Sequence, residues 1–221
     1  MSPVVRHHLP VTSALLFDLD RTLVDVQSFT DYAAARADAE AVVGHDRALT
    51  AVPTTDWSSD TEAAMALLVT YAGDPRWEAL SAAIAVHELA AVVHSTPMPT
   101  LAAAWQLSAS VPRAVVTLVP EHVARAALSA HGIDASADAL VVVGRRAGQR
   151  PKPAPDGLHA ACDALGVDPS SAVMIGDSSW DLAAARAAGT GFVGVPFHPG
   201  GLPDGTPTAA DLEAAVRRTL G

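Results

Sequence analysis

The chain has 221 residues, half of them hydrophobic, with a formal net charge of −10 and a pI near 5.2. That length suits one large domain, or a core of ordinary size carrying a small insert. No run of Lys or Arg exceeds a pair, so the electrostatic footprint of a nucleic-acid or anionic-membrane binder is missing.

Aromatic residues make up only 5% and alanine is abundant, which predicts helices packed closely through small side chains. Met1 to Pro10 carries Arg6, His7 and His8 but no apolar stretch of signal-peptide length, and nowhere do about 18 apolar residues run together. The expectation is a soluble, cytoplasmic protein with no membrane partner. Cys162 is the sole cysteine, so no internal disulfide can form, and inside a predicted helix it reads as a small buried hydrophobe.

Val11 to Phe17 is a short apolar run that delivers Asp18-Leu-Asp20 at its carboxyl end, as a buried strand does. From about Gln27 to Ser95 helical patterns run without a convincing strand. One helix spans Phe29 to Val43 and ends at Gly44, and a second spans Asp60 to Ala72 and ends at Gly73. A third is opened by Asp74-Pro75 and runs to about Val93. His45 to Ser59 is the loop between the first two. Further strands are expected at Arg113 to Thr117, Ala139 to Val143, Ala172 to Ile175 and Gly191 to Val195. Helices separate them, from Pro120 to Gly132, from Pro155 onward, and from Ser178 to Ala188, closed by Gly189. The final helix takes Thr206 as N-cap and Pro207 as first residue, running through Asp211 to Leu220. Such alternation predicts an α/β protein with a Rossmann-like parallel sheet. Its core would comprise residues 11–26 and 96–221, with a small helical cap, 27–95, inserted after the first strand.

Four motifs carry chemistry. Asp18 and Asp20 stand two apart at a strand end, where a bend is needed to turn both toward one substrate. Thr117 ends a second strand, and its hydroxyl, beside the backbone amide of Leu118, suits a phosphate oxygen; a strand-end or N-cap role suits it equally. Lys152, the only lysine in the chain, lies in a proline-stiffened loop, where a compact ammonium can neutralise a phosphate and a carboxylate together; taken alone it reads equally as a solvated loop lysine. Gly176-Asp177-Ser-Ser-Trp-Asp181 follows a buried strand and brings two carboxylates to the first turn of a helix. These are hard oxygen ligands for Mg²⁺, or else a helix cap and a dipole partner. Each motif falls at the carboxyl end of a predicted parallel strand or in a loop on that side, where open α/β sheets bind ligands.

In this order and spacing the set resembles the haloacid dehalogenase-like superfamily, over Leu15 to about Val195. The resemblance implies Asp18 as nucleophile, Asp20 as general acid and base, and Thr117 and Lys152 as supports for phosphate and nucleophile. Mg²⁺ would be held by Asp18, Asp177 and the backbone carbonyl of Asp20, with Asp181 a direct or supporting ligand. The insert looks like the superfamily's C1 cap, and Lys152-Pro-Ala-Pro155 resembles its phosphoglycolate phosphatase-like branch. The implied activity is hydrolysis of a small phosphorylated metabolite through an aspartyl phosphate. A phosphomutase, a 2-haloacid dehalogenase and a non-catalytic phosphometabolite-binding module are the rivals, and Asp20 with Gly176-Asp177 counts against the dehalogenase.

The sequence departs from the family pattern in two places. Arg21 stands where glycine is usual, tolerable where φ is negative; it faces outward in a salt bridge or meets a substrate anion. Leu118 follows Thr117 where Asn or Gly is common. In the cap, Thr55, Asp56 and Trp57 form the densest polar and aromatic group and are candidate leaving-group selectors, as lids provide. Tyr32, Arg36, His45, Arg47, Tyr71, Arg76 and His87 are weaker candidates, each fitting a surface or packing role.

Overall fold

The segment Ala14-Leu-Leu-Phe17 forms β1 and is buried at all four residues, as a strand covered on both faces must be. The computed structural model describes residues 12–136 and 140–221, so Val11 and Ala139, proposed first residues of two strands, lie outside it. In chain order the strands that follow are β2 (Val24–Asp25), β3 (Thr96–Pro97), β4 (Arg113–Val116), β5 (Val141–Val143), β6 (Ala172–Gly176) and β7 (Gly191–Gly194). The α-helices are α1 (Tyr32–Val43), α2 (Ser59–Thr70), α3 (Trp77–Ala91), α4 (Leu101–Leu107), α5 (Glu121–Ala130), α6 (Asp156–Leu165), α7 (Ser179–Ala188) and α8 (Leu212–Leu220).

Five strands make one parallel sheet in the order β5-β4-β1-β6-β7. Side chains alternate across it. Ala14 and Leu16 pack with Ala114, Val116 and Met174 against Leu158 and Cys162 of α6 and Ala184 and Ala185 of α7. Leu15 and Phe17 pack with Val115, Ile175 and Val193 against α5 and α8 on the other face. The fold is therefore α/β and Rossmann-like, with a helical insertion after β1. The inserted helices α1, α2 and α3 have their own core, built on Ala35, Ala39, Leu68, Leu80 and Ile84, to which Trp180 of α7 is the core's contribution. Among the described residues no helix is long and apolar enough to cross a membrane.

The insert leaves and returns through β2 and β3, which pair antiparallel (Val24 with Pro97, Asp25 with Thr96) and hold its two ends side by side. Two-residue strands leave no periodic trace, and neither they nor the seven-residue α4 is foreseen from the pattern. Phe29 lies in a 3₁₀ turn, Gln27–Phe29, and α1 starts later because the Asp31 side chain caps it by accepting the Ala34 amide at 3.0 Å.

The last helix corrects the proposed N-cap. Asp211, accepting the Ala214 amide at 2.8 Å, caps α8, whereas Thr206 and Pro207 lie in the preceding segment. That segment runs along β7: Gly194 N–H donates to the Pro207 carbonyl, and Ala209 N–H donates to the Gly194 carbonyl. A proline is tolerated at such an edge, where its missing N–H is not required by the ladder.

Candidate active site

Register places the site. Phe17 pairs with Val115 on one side and Ile175 on the other, so the chains beyond β1, β4 and β6 emerge together carrying Asp18, Thr117 and Asp177. All three are buried. Lys152 reaches the same place from its loop and is itself buried. Its ammonium donates to Asp18 Oδ1 at 2.6 Å, Asp181 Oδ1 at 2.6 Å and the Val116 carbonyl at 3.1 Å, so its three N–H groups have three divergent acceptors. A planar guanidinium does not offer that tripod.

Asp181 is held from its other side. Its Oδ2 accepts the Ser178 hydroxyl at 2.6 Å and the Ser178 amide at 3.2 Å, which also caps the start of α7. Gly176 makes room for this: a Cβ there would stand 2.6 Å from both Cβ and Cγ of Asp181. Asp20 Oδ1 accepts the amides of Val26 and Gln27, each at 2.9 Å, which fixes a half-buried carboxyl at the base of the insert. The Thr117 hydroxyl accepts the Val119 amide at 3.3 Å.

Burial dominates the electrostatics. It pushes Asp18 up to about 7, with Lys152 opposing and Asp181 adding to the rise. It also pushes Asp20 up to about 7 against the pull of the two amides. Asp177 is driven well above the carboxylate range by burial and then by the charges of Asp181 and Asp18. Burial alone would lower Lys152, but Asp18 and Asp181 together hold it above its ordinary value.

One carboxylate oxygen from each of Asp18, Asp177 and Asp181 lies within 4.8 Å of the others. With Asp20, four carboxylates meet in a cavity where Lys152 is the one cation among the described residues. An excess of buried negative charge on hard oxygen donors fits a small divalent cation such as Mg²⁺.

The cavity is narrow, about 30 Å³. Of the residues singled out by sequence, Asp18, Asp20, Thr117, Leu118, Lys152, Asp177 and Asp181 line it from the core, and Tyr32 and Trp57 line it from the insert. Gln27, Thr61, Met65 and Val119 also line it and carry no motif that would have marked them, and Ser178, inside the fourth motif, lines it too. Trp57 stacks on Trp180 with ring centroids 5.3 Å apart, and the Ser179 hydroxyl donates to the Thr54 carbonyl, tying this loop to α7. The indole N–H groups of Trp57 and Trp180 are buried without an acceptor among the described residues.

Other candidates fall elsewhere. Thr55 does not line the cavity; its hydroxyl accepts the Trp57 amide at 3.1 Å and shapes the turn, while Asp56 is exposed. Arg21 is also absent from the lining: it lies over the Phe197 ring at 4.6 Å and pairs with Asp25 at 3.8 Å. Its φ is +59°, not negative as expected, so an arginine occupies a left-handed conformation that favours glycine. Arg36 pairs with Glu40 and Asp60, Arg47 with Asp74, Arg76 with Asp74 and Asp46, and His87 with Asp38. Tyr71 donates to Asp46, and His45 is exposed.

A buried group that sequence reasoning missed stands behind the cavity wall. The Arg145 guanidinium, following β5, donates to Glu88 Oε1 at 2.7 Å and to the Leu118 carbonyl at 2.7 Å. It also donates to the Ser81 hydroxyl and carbonyl, each at 2.9 Å. Both side chains of the ion pair are fully buried, and Ser81 and Glu88 belong to α3, so the pair joins insert to core beside Thr117.

Over residues 12–189 the sequence matches the haloacid dehalogenase-like hydrolases. It is similar to validoxylamine A 7'-phosphate phosphatase of Streptomyces hygroscopicus subsp. limoneus, 32% identical over 185 residues that span 81% of this chain and 84% of the relative. A phosphoglycolate phosphatase of Neisseria meningitidis is 37% identical over 112 residues, 50% of this chain and 47% of the relative. The fold resembles that of CbbY from Rhodobacter sphaeroides, solved in complex with phosphate and, as a mutant, with xylulose-(1,5)bisphosphate. The TM-score is 0.66 at 21% identity, covering 91% of this chain and 95% of that one. A hydrolase from Pseudomonas syringae gives a TM-score of 0.66 at 21% identity, covering 93% and 97%. At these identities the structural likeness bears on fold alone.

Proposed function

The chain belongs to the haloacid dehalogenase-like hydrolases, and from that premise we propose that it is a Mg²⁺-dependent phosphatase acting on a small phosphate monoester through an aspartyl phosphate on Asp18. One observation carries the reading: the Lys152 ammonium sits 2.6 Å from both Asp18 and Asp181 in a cavity that also contains Asp20, Thr117 and Asp177. Relatives named as phosphatases of validoxylamine A 7'-phosphate and of phosphoglycolate support the same class.

Asp18 and Asp177 would hold Mg²⁺ with the Asp20 carbonyl, and the ion would offset repulsion between carboxylate and phosphate dianion. Asp181, with both oxygens engaged by Lys152 and Ser178, holds the lysine. In this reading an Asp18 oxygen bonds to phosphorus as the bond to the leaving alcohol breaks. Lys152, held by Asp18, Asp181 and the Val116 carbonyl, places a fixed positive charge beside the phosphoryl group, and the Thr117 hydroxyl binds a phosphoryl oxygen. Asp20 gives its proton to the departing alkoxide, then takes one from the water that cleaves the acyl phosphate. A carboxyl raised to about 7 suits both halves of that task.

The test is phosphate release from a panel of small phosphate esters with Mg²⁺, repeated in excess EDTA and with Asp18→Asn. Turnover should vanish in both controls. Full turnover in EDTA would remove the metal, and turnover by the Asn variant would remove the nucleophile.

A further inference from the structure

The insert supplies part of the wall around the catalytic groups, so the leaving group of an ester bound here faces it. Apart from the catalytic groups, the residues that line the cavity are all uncharged, Gln27, Tyr32, Trp57, Thr61 and Met65 from the insert among them. No arginine among the described residues lines the cavity, and Arg21, next in the chain to Asp20, lies over the Phe197 ring at 4.6 Å and 3.8 Å from Asp25. Arg36, Arg47 and Arg76 are paired to carboxylates, and Arg145 is spent on Ser81, Glu88 and the Leu118 carbonyl. Lys152 has its three donors engaged. A carboxylate or second phosphate on the leaving group would thus lie beside four aspartates, with no cation among the described lining residues beyond the already engaged Lys152 to meet it. By contrast, the Trp57 indole N–H is buried without an acceptor among the described residues, and the Gln27 amide can both donate and accept; the Tyr32 hydroxyl donates to Glu88 at 3.4 Å and the Thr61 hydroxyl bonds that of Ser58 at 2.9 Å, each keeping a lone pair to accept.

We propose that this site takes phosphate monoesters of uncharged, hydroxyl-bearing alcohols, that Trp57 donates a hydrogen bond to such a leaving group, and that acidic leaving groups and bisphosphates are discriminated against. The proposal rests on the phosphatase reading and narrows its substrate class.

The experiment compares kcat/KM at fixed Mg²⁺ for an aryl phosphate, a hexitol monophosphate, 2-phosphoglycolate and xylulose 1,5-bisphosphate. The hexitol ester should exceed both multiply charged substrates by about tenfold or more. Trp57→Phe keeps a ring on Trp180 and deletes the N–H, and should lower kcat/KM for the hexitol ester about fivefold more than for the aryl ester. Equal or better turnover of phosphoglycolate or the bisphosphate overturns the proposal while leaving the phosphatase reading intact. Equal loss on both substrates in the Phe variant removes Trp57 from its role. No turnover of any ester, the aryl phosphate included, removes the phosphatase reading and this inference with it.

Discussion

Replacing Arg145 with methionine isolates what the buried ion pair does. The substitution keeps a flexible apolar stem but strands the Glu88 carboxylate where both side chains have 0% exposure, and it deprives the Ser81 and Leu118 carbonyls of their donor. Breaking such a pair from one side costs about 3–5 kcal/mol. In a protein of this size each kcal/mol shifts Tm by about 2–4 °C, so Arg145→Met should lower Tm by about 6–20 °C. The double variant Arg145→Met/Glu88→Leu removes the stranded charge and should recover most of the loss, a strongly non-additive cycle. Because the Leu118 carbonyl loses its anchor beside Thr117, the single variant should also show a raised KM for phosphate esters at temperatures where it stays folded. Thermal and urea unfolding at low and high salt provide the assay, and the loss should hardly respond to salt. A loss under about 1 kcal/mol, or additivity of the two substitutions, would refute the reasoning.

Three further outcomes are expected. Burial raises Asp20 to about 7, so the folded metal-free protein keeps a proton that the unfolded chain releases near 4, and that share of stability is lost as pH rises from about 4 through about 7. In EDTA, Asp20→Asn should therefore raise Tm at pH 8 and change it little at pH 4; a flat difference across that range would count against the raised carboxyl. At Arg21, where φ is +59°, Arg21→Ala should be less stable than Arg21→Gly by about 1–2 kcal/mol, since both lose the side chain but only alanine bears the left-handed penalty. Equal stabilities in urea would disprove it. Gly176→Ala places a methyl against Asp181 and displaces the carboxylate that holds Lys152, so kcat should fall by about 100-fold or more, and a near-native kcat would show that the contact relaxes harmlessly.

What the sequence makes legible follows from how each feature is encoded. β1, β4 and β6 are continuous apolar runs because both faces are buried, and a polar group at the end of each run announces the sheet's carboxyl edge. α7 has a glycine at its end in the left-handed conformation, a local signal readable without tertiary context. The start of α8 misleads because Thr206-Pro207 has the chemistry of a helix start, yet the pairing of this segment with β7 overrides it. Arg21 misleads in the opposite sense: its positive φ is imposed by a turn in which the Arg21 amide bonds the Val24 carbonyl, and the only hint is that the family it resembles usually has glycine there, while the arginine itself points away from it.

Within the site, legibility divides by the same rule. Asp18, Thr117, Lys152 and Asp177 stand at the ends of recognisable elements, so their convergence can be reasoned from topology. Arg145 and Glu88 are separated by 57 positions, lie at no motif and obey no period. An arginine after a strand and a glutamate on an alanine-rich helix both read as solvent-facing, and only the packing of α3 against the core buries them together. The walls formed by Gln27, Thr61 and Met65 are hidden for the same reason, since they depend on how the insert sits on the sheet. The chemistry of a phosphoryl transfer site is carried by strand ends and can be read along the chain. The selectivity proposed for it would rest on how the insert meets the sheet, a contact that no stretch of sequence spells out.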